Sequence, residues 1–256
     1  LKLSRSLICV VFVVACLLCG SLYAQQKKVE NLPNYDYAKY HFGFILGVNQ
    51  MNFTLKPAAD LNTRVFDSTY VADIFADSAM MYVVEPVPTF GFTVGIVGNL
   101  RLGQNFDLRF IPSLSFGERY IDFSIMKYKG GSQTLLEIRK SVPSTYIDLP
   151  LSIRYKSKRQ HNFRSYLLGG IDYGIDLASE AKKKKEQDLV RLKLKKNDLR
   201  AEIGVGFEFY NEWFKFGTEI KMGYGFLDLL KREENIYCES IEKLTSKVFL
   251  LSFTFE

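Results

Sequence analysis

The sequence predicts an all-β fold: an eight-stranded antiparallel transmembrane β-barrel with short turns at one end and long loops at the other. Three observations predict it. Apolar residues recur at every second position in eight segments, the period of a strand with two unlike faces. The connections between these segments alternate between short and long. The faces opposite the apolar stripes collect glycine and charge, which suits the inside of a narrow barrel.

Residues 1–24 read as a cleaved signal peptide. Lys2 and Arg5 give a positive start, "LICVVFVVACLL" a short apolar core, and "SLYA" a small residue before Gln25. Twelve apolar residues are too few for a spanning helix, which needs about 20. Residues 25–39 then form a short N-terminal periplasmic segment, and the barrel occupies 40–256. Cys9, Cys16 and Cys19 fall in the signal, so only Cys238 remains in the mature chain. That leaves no internal disulfide and no cysteine-based metal site, and it reads as a tolerated loop thiol.

The barrel segments follow in order. "HFGFILGVN" puts Phe42, Phe44, Leu46 and Val48 on one face, and "TFGFTVGIVG" does the same for Phe90, Phe92, Val94 and Ile96. "FDLRFIPSLSFG" gives Phe106, Leu108, Phe110, Leu114 and Phe116, and "YIDLPLSIRY" gives Ile147, Leu149, Leu151, Ile153 and Tyr155. "YLLGGIDYGIDL" aligns Leu167, Ile171, Tyr173, Ile175 and Leu177. "AEIGVGFEFY" and "FKFGTEIKMGYGF" repeat the pattern from Ile203 to Phe209 and from Phe214 to Tyr224. The last, "KVFLLSFTFE", carries Phe249, Leu251, Phe253 and Phe255, and it must close the barrel on the first segment because an open edge in hydrocarbon leaves backbone groups unpaired. Pro112 and Pro150 lie within segments, and a local bulge is expected at each.

The turns "LGQN", "KSKRQHN" and "NEW" are short, whereas 51–87, 120–144, 178–197 and 230–244 are long. Barrels of the bacterial outer membrane have this asymmetry, with short periplasmic turns and longer outer loops. Twelve of the 18 glycines lie on the polar face, which turns that face inward, where long side chains need room. The same face carries a polar network expected to cross the lumen: Asp107, Arg109, Asp148, Arg154, Asp172, Glu202, Glu208, Lys215, Glu219 and Lys221, joined by Arg164 and Asp176. Charges of both signs in near balance predict ion pairs filling the lumen rather than an open channel. The apolar face then meets lipid.

Functional signals are sparse. His41 and His161 are far apart, with no metal-ligand spacing and no nucleophile–histidine–acid arrangement. No cofactor or catalytic residue is expected. The net charge of +6 owes much to the run "AKKKKEQDLVRLKLKK", 181–196, and nucleic acid is an implausible partner for an exported chain. An outward basic loop suits lipopolysaccharide phosphates or an acidic partner, but a solvated hairpin extending its strands is the favoured reading of the run. "KGGS", 129–132, reads as the tip of an extended hairpin. The loop 51–87 mixes acidic and aromatic residues, and Tyr70, Phe75 and Tyr82 are its candidate partner contacts.

Three stretches carry a resemblance: "YHFGFILGVNQMNF" (40–53), "STYIDLPLSIRYK" (144–156) and "YLLGGIDYGIDL" (166–177). The latter two resemble the outer-membrane β-barrel superfamily, in which a strand of Y-[IL]-[ED]-[IL]-P-L type precedes a glycine-rich GGxxYG strand. The whole mature chain resembles the PorT family of the type IX secretion system. The resemblance implies an integral outer-membrane location and a role in export of proteins with C-terminal sorting domains. It implies other secretion-system proteins as partners beside outer-membrane lipid and lipopolysaccharide, and no enzyme activity. A stand-alone OmpA-like barrel, structural or adhesive, is the alternative, followed by a barrel enzyme acting on lipid.

Overall fold

The computed structural model describes residues 30–71, 74–178 and 192–256. The expected signal peptide, 1–24, and most of the basic run 181–196 lie outside these residues. Eleven strands form one antiparallel sheet: β1 Tyr40–Pro57, β2 Val65–Asp67, β3 Ser78–Val87, β4 Thr89–Arg101, β5 Phe106–Phe110, β6 Ser113–Lys129, β7 Ser132–Lys156, β8 Phe163–Asp176, β9 Asn197–Tyr210, β10 Lys215–Gly225 and β11 Ile241–Phe255. β1 pairs with both β4 and β11, so the sheet closes. No unpaired edge is left within the barrel wall, the condition hydrocarbon imposes.

The eleven strands make eight staves. β3 and β4 are one run interrupted at Pro88, β5 and β6 are one run interrupted at Ile111 and Pro112, and β2 is a short addition at the rim. The expected bulges at the prolines are absent. Phe110 pairs with Leu151 and Ser113 with Asp148, so Pro112 and Pro150 fall in one gap of the ladder without a register slip. Their carbonyls stay in use: Ile96 N–H donates to Pro112 and Ile111 N–H donates to Pro150. Placing both prolines at one interruption confines the loss of donors to a single spot. The bulges lie elsewhere, at Met81/Val83 in β3 and at Lys56/Pro57 in β1.

Side chains alternate as the barrel requires. Phe42, Phe44, Leu46 and Val48 of β1, Phe90, Phe92 and Ile96 of β4, and Leu167 and Ile171 of β8 are exposed to the bilayer side. Between them, Asp107, Arg109, Arg154, Asp172 and Glu208 are buried. The apolar stripe of "KVFLLSFTFE" faces the same way, with Phe255 stacked on Phe44 of β1 across the closing seam.

The long connections are not loops for most of their length: this corrects the sequence reading of 51–87, whereas 120–144 is the extended hairpin expected from its "KGGS" tip. β1, β6, β7 and β11 run on beyond the lipid belt, and as they leave it the chemistry of their two faces inverts. In β6 the inward positions change from Ser113, Ser115 and Gly117 to Ile121, Phe123 and Ile125, with Arg119 at the changeover. The outward positions change from Leu114 and Phe116 to Glu118, Tyr120 and Asp122. Inside the membrane the outer face must be apolar, and beyond it only the inner face can be.

These extensions enclose a hydrophobic core above the barrel. Phe53 of β1, Met81 of β3, Phe123 of β6, Val142 of β7 and Leu244 of β11 meet there, with Tyr237 and Cys238 from the short helix α1, Ile236–Glu239. Asn235 caps α1 by accepting from Cys238 N–H at 2.8 Å. Cys238 is therefore a fully buried core residue, not the loop thiol expected. The Arg119 guanidinium marks the floor of this cap, donating to Ser144 and Tyr146 and lying 4.1 Å from the Phe53 ring centroid. At the tip of the β6–β7 hairpin, Gly130 and Gly131 have φ of +56° and +81°, the two left-handed positions of a tight hairpin turn.

Candidate functional site

The inward faces of the staves converge on a lumen filled by charge. Near the short-turn end, Arg154 of β7 pairs with Glu208 of β9, and Lys215 of β10 reaches Glu208 at 3.0 Å and Glu256 at 2.9 Å. Arg109 of β5 also meets Glu256, at 2.9 Å, while Lys156 lies 2.7 Å from Asp107. Midway, Lys221 lies 3.3 Å from Glu202, and Tyr166 donates to Glu219 at 2.8 Å. Toward the long loops, Arg200 of β9 pairs with both Asp148 and Asp172 and lies 3.7 Å from Asp198. Asp176 is buried at this level and accepts from Ala178 N–H.

Burying so many charges is stable because opposite charges share the space: Asp148, Asp172 and Asp198 gather on Arg200, and Lys215 serves both Glu208 and Glu256. Removing one member of such a pair leaves its partner desolvated at a cost of about 3–5 kcal/mol. Neutral groups complete the lattice: Asn99 donates to Asp107 at 3.2 Å, and the Arg154 guanidinium stacks 3.6 Å from the Tyr166 ring centroid. Glycine makes the crossing possible. A Cβ at Gly206 would overlap the Tyr166 ring, which sits opposite it in the β8–β9 ladder.

The segment before β1 stops the short-turn mouth. A single 3₁₀ turn, Tyr35–Tyr37, inserts Tyr35 so that its ring stacks on His41 at 4.0 Å and its hydroxyl donates to Glu256 at 3.1 Å. Asp36 accepts two bonds from Arg164, at 2.8 and 2.7 Å. Arg159 donates to Leu32 O at 3.1 Å and covers the Tyr210 ring.

All ten residues of the network read from the sequence thus line one lumen. Arg200, Asp198, Lys156 and Glu256 complete it, and sequence reasoning passed over them although strand parity places all four inward. Asp36 had no such signal, because it precedes the first strand. The three candidate contact residues separate: Tyr70 packs against the cap core and Phe66, whereas Phe75 and Tyr82 are exposed, at 77% and 50%.

Chemically, the lumen holds charge but offers little room. A cavity of about 30 Å³ lies among Thr93, Asp148, Asp172, Arg200, Glu202 and Lys221, space for a water molecule and not for a solute. His41 is committed, donating from Nε2 to Tyr35 O at 2.8 Å. Among the described residues no three His, Cys, Asp or Glu side chains are arranged to hold a metal ion.

The family comparison agrees with this architecture. The outer membrane protein beta-barrel domain matches residues 23–231. The crystal structure of the outer membrane protein OprG from Pseudomonas aeruginosa is similar at 13% identity and a TM-score of 0.38, over 85% of this chain and 95% of that one. Neisserial surface protein A, NspA, is similar at 9% identity and a TM-score of 0.39, over 85% and 98% of the two chains. No curated protein matches the chain. An integral outer-membrane location follows from the family match and the lipid-facing belt, and the chain belongs to the outer membrane protein beta-barrel domain family.

Proposed function

We propose that this chain is a non-enzymatic component or assembly factor of the type IX protein secretion apparatus. The observation that carries the reading is the closed lumen. A barrel whose interior is crossed by ion pairs and stopped by its own leading segment does its work on its surfaces, by holding other proteins, rather than by passing solutes. The choice of machine rests on the resemblance of the whole chain after the expected signal to the PorT family. The "YIDLPL" and "GGIDYG" stretches, on the adjacent strands β7 and β8 paired through Leu149↔Tyr173 and Asp148↔Gly174, carry the wider barrel superfamily. The short turns face the periplasm and the cap faces outward, following the general asymmetry of such barrels.

A stand-alone structural or adhesive barrel uses the same filled lumen, and the cap favours it by offering a folded outward surface. A lipid-modifying enzyme draws no comparable support. Deletion of the gene in the source bacterium separates the readings. Loss of secreted proteins bearing C-terminal sorting domains, restored by the plasmid-borne gene, supports the secretion role. Unchanged secretion rejects it and leaves the stand-alone barrel, and an altered lipid A or phospholipid profile would instead favour the enzyme.

A further inference from the structure

The outward face of the cap sheet carries an apolar row that the lipid belt does not explain. Val65 of β2, Met80 of β3, Met126 of β6 and Leu135 of β7 are directly opposite one another across three ladders, so their side chains share one face. Val65 is 61% and Leu135 53% exposed. The β3 bulge adds to the row. Tyr82 is skipped in the register between Met81 and Val83, so Tyr82 and Val83 both stand outward. Met126 lies eight positions past Glu118, where the outer face of β6 turns polar, or about 25 Å further along the strand. Acyl chains end well short of it.

Carboxylates border the row on both sides. Asp67 lies above it, two positions from Val65 in β2. Below it lie Glu137 and the rank Glu85↔Asp122↔Arg139. Arg139, the basic member of that rank, is already held by Asp122 through two bonds of 2.7 Å. A chain of net charge +6 therefore presents one acidic face, with an apolar stripe through its middle.

We propose that this face docks a second protein, one whose contacting surface carries an apolar ridge flanked by Lys and Arg. Charge selects that occupant. Lipopolysaccharide phosphates are repelled by the bordering carboxylates, and a second copy packed face to face brings Glu85 and Glu137 against their own counterparts. A lysine- or arginine-rimmed ridge removes the apolar row from water and neutralises its border at once. The inference rests on the reading of the barrel as a holder of other proteins, and it does not require that those proteins belong to a secretion machine.

The test places a photo-crosslinking amino acid at Leu135 of the full chain, in membranes of the source bacterium, with the same group at Phe92 as a lipid-facing control. The expected adduct at Leu135 is another protein, joined at a peptide bearing Lys or Arg beside an apolar residue. The double change Glu85→Lys, Glu137→Lys should lower its yield at least about fivefold while leaving the heat-modifiable mobility of the folded barrel unchanged. Reversing the partner's basic residues should restore the yield. Adducts only with lipopolysaccharide, with a second copy or with the chain's own lysine run 182–185 overturn the proposal, as does no adduct, or a yield indifferent to charge reversal. An adduct that persists where gene deletion leaves secretion intact keeps the surface and removes the secretion role. Lost secretion without an adduct does the reverse.

Discussion

At the scale of single residues, the lumen is a packing problem solved by pairing the longest side chains with no side chain at all. Tyr166 is held three ways: its ring faces Gly206, the Arg154 guanidinium covers it, and its hydroxyl donates to Glu219. A methyl group added at Gly206 would overlap the Cζ and hydroxyl end of the ring, so the ring must shift, and its contacts with Arg154 and Glu219 shift with it. Overpacking of this kind costs about 1–3 kcal/mol. Gly206→Ala should lower the urea midpoint of the barrel refolded into lipid vesicles accordingly. Combining it with Tyr166→Leu should cost less than the two single changes added together, because the smaller side chain vacates the space the methyl group needs. Strict additivity would show that the glycine is not there for the ring. Glu256 illustrates the same economy of space. It follows the last lipid-facing residue, Phe255, and parity turns it inward, where Arg109 and Lys215 hold it.

At the scale of elements, the strands change solvent along their length, and Cys238 offers a way to observe the consequence. Its thiol is buried in α1 within the cap core, and burial pushes its pKa above the ordinary thiol value. Both effects suppress reaction with alkylating reagents, which attack through the thiolate. In the chain from Gln25 onward, folded in detergent at pH 8, Cys238 should remain unmodified by a maleimide over a period that fully labels the urea-unfolded protein. Rapid labelling of the folded form would mean the cap has no packed core. The cap was the part of the fold least legible in the sequence, for a physical reason. Period two persists through β6, but its polarity inverts at Arg119, so a rule that assigns every apolar position to lipid cuts the strand there. The lipid belt was legible because both faces keep one solvent each from Phe42 to Val48 and from Phe90 to Ile96. The network residues were legible by the same parity. Asp36 was not, since a 3₁₀ turn has no period to extend, and neither was the placing of Pro112 and Pro150 at one gap of the ladder, which depends on register across two strands.

At the scale of the whole molecule, the path through the barrel meets three different barriers in series. The periplasmic mouth is stopped by a polypeptide segment, latched through Asp36 to Arg164 and through Tyr35 to Glu256. The middle is stopped by ion pairs, where the cavity among Asp172, Arg200 and Lys221 amounts to about 30 Å³. The outer end is stopped by an apolar core in which Phe53, Phe123 and Tyr237 are buried. Each barrier excludes ions by its own means. The first is steric, the second fills the lumen with fixed charges of both signs held against one another, and the third is lined mostly by apolar side chains that cannot replace a hydration shell. Opening one leaves the other two in place, so thermal fluctuation of the latch alone gives no conducting path. The purified chain from Gln25 onward in planar lipid bilayers should therefore show no discrete conductance steps, and vesicles containing it should not swell in small sugars. Weakening the latch with Asp36→Ala should change neither result, although it should increase protease cleavage before β1. Reproducible steps in the wild-type protein would require all three barriers to yield together, and the lumen would then have to be read as a gated channel instead of a filled core.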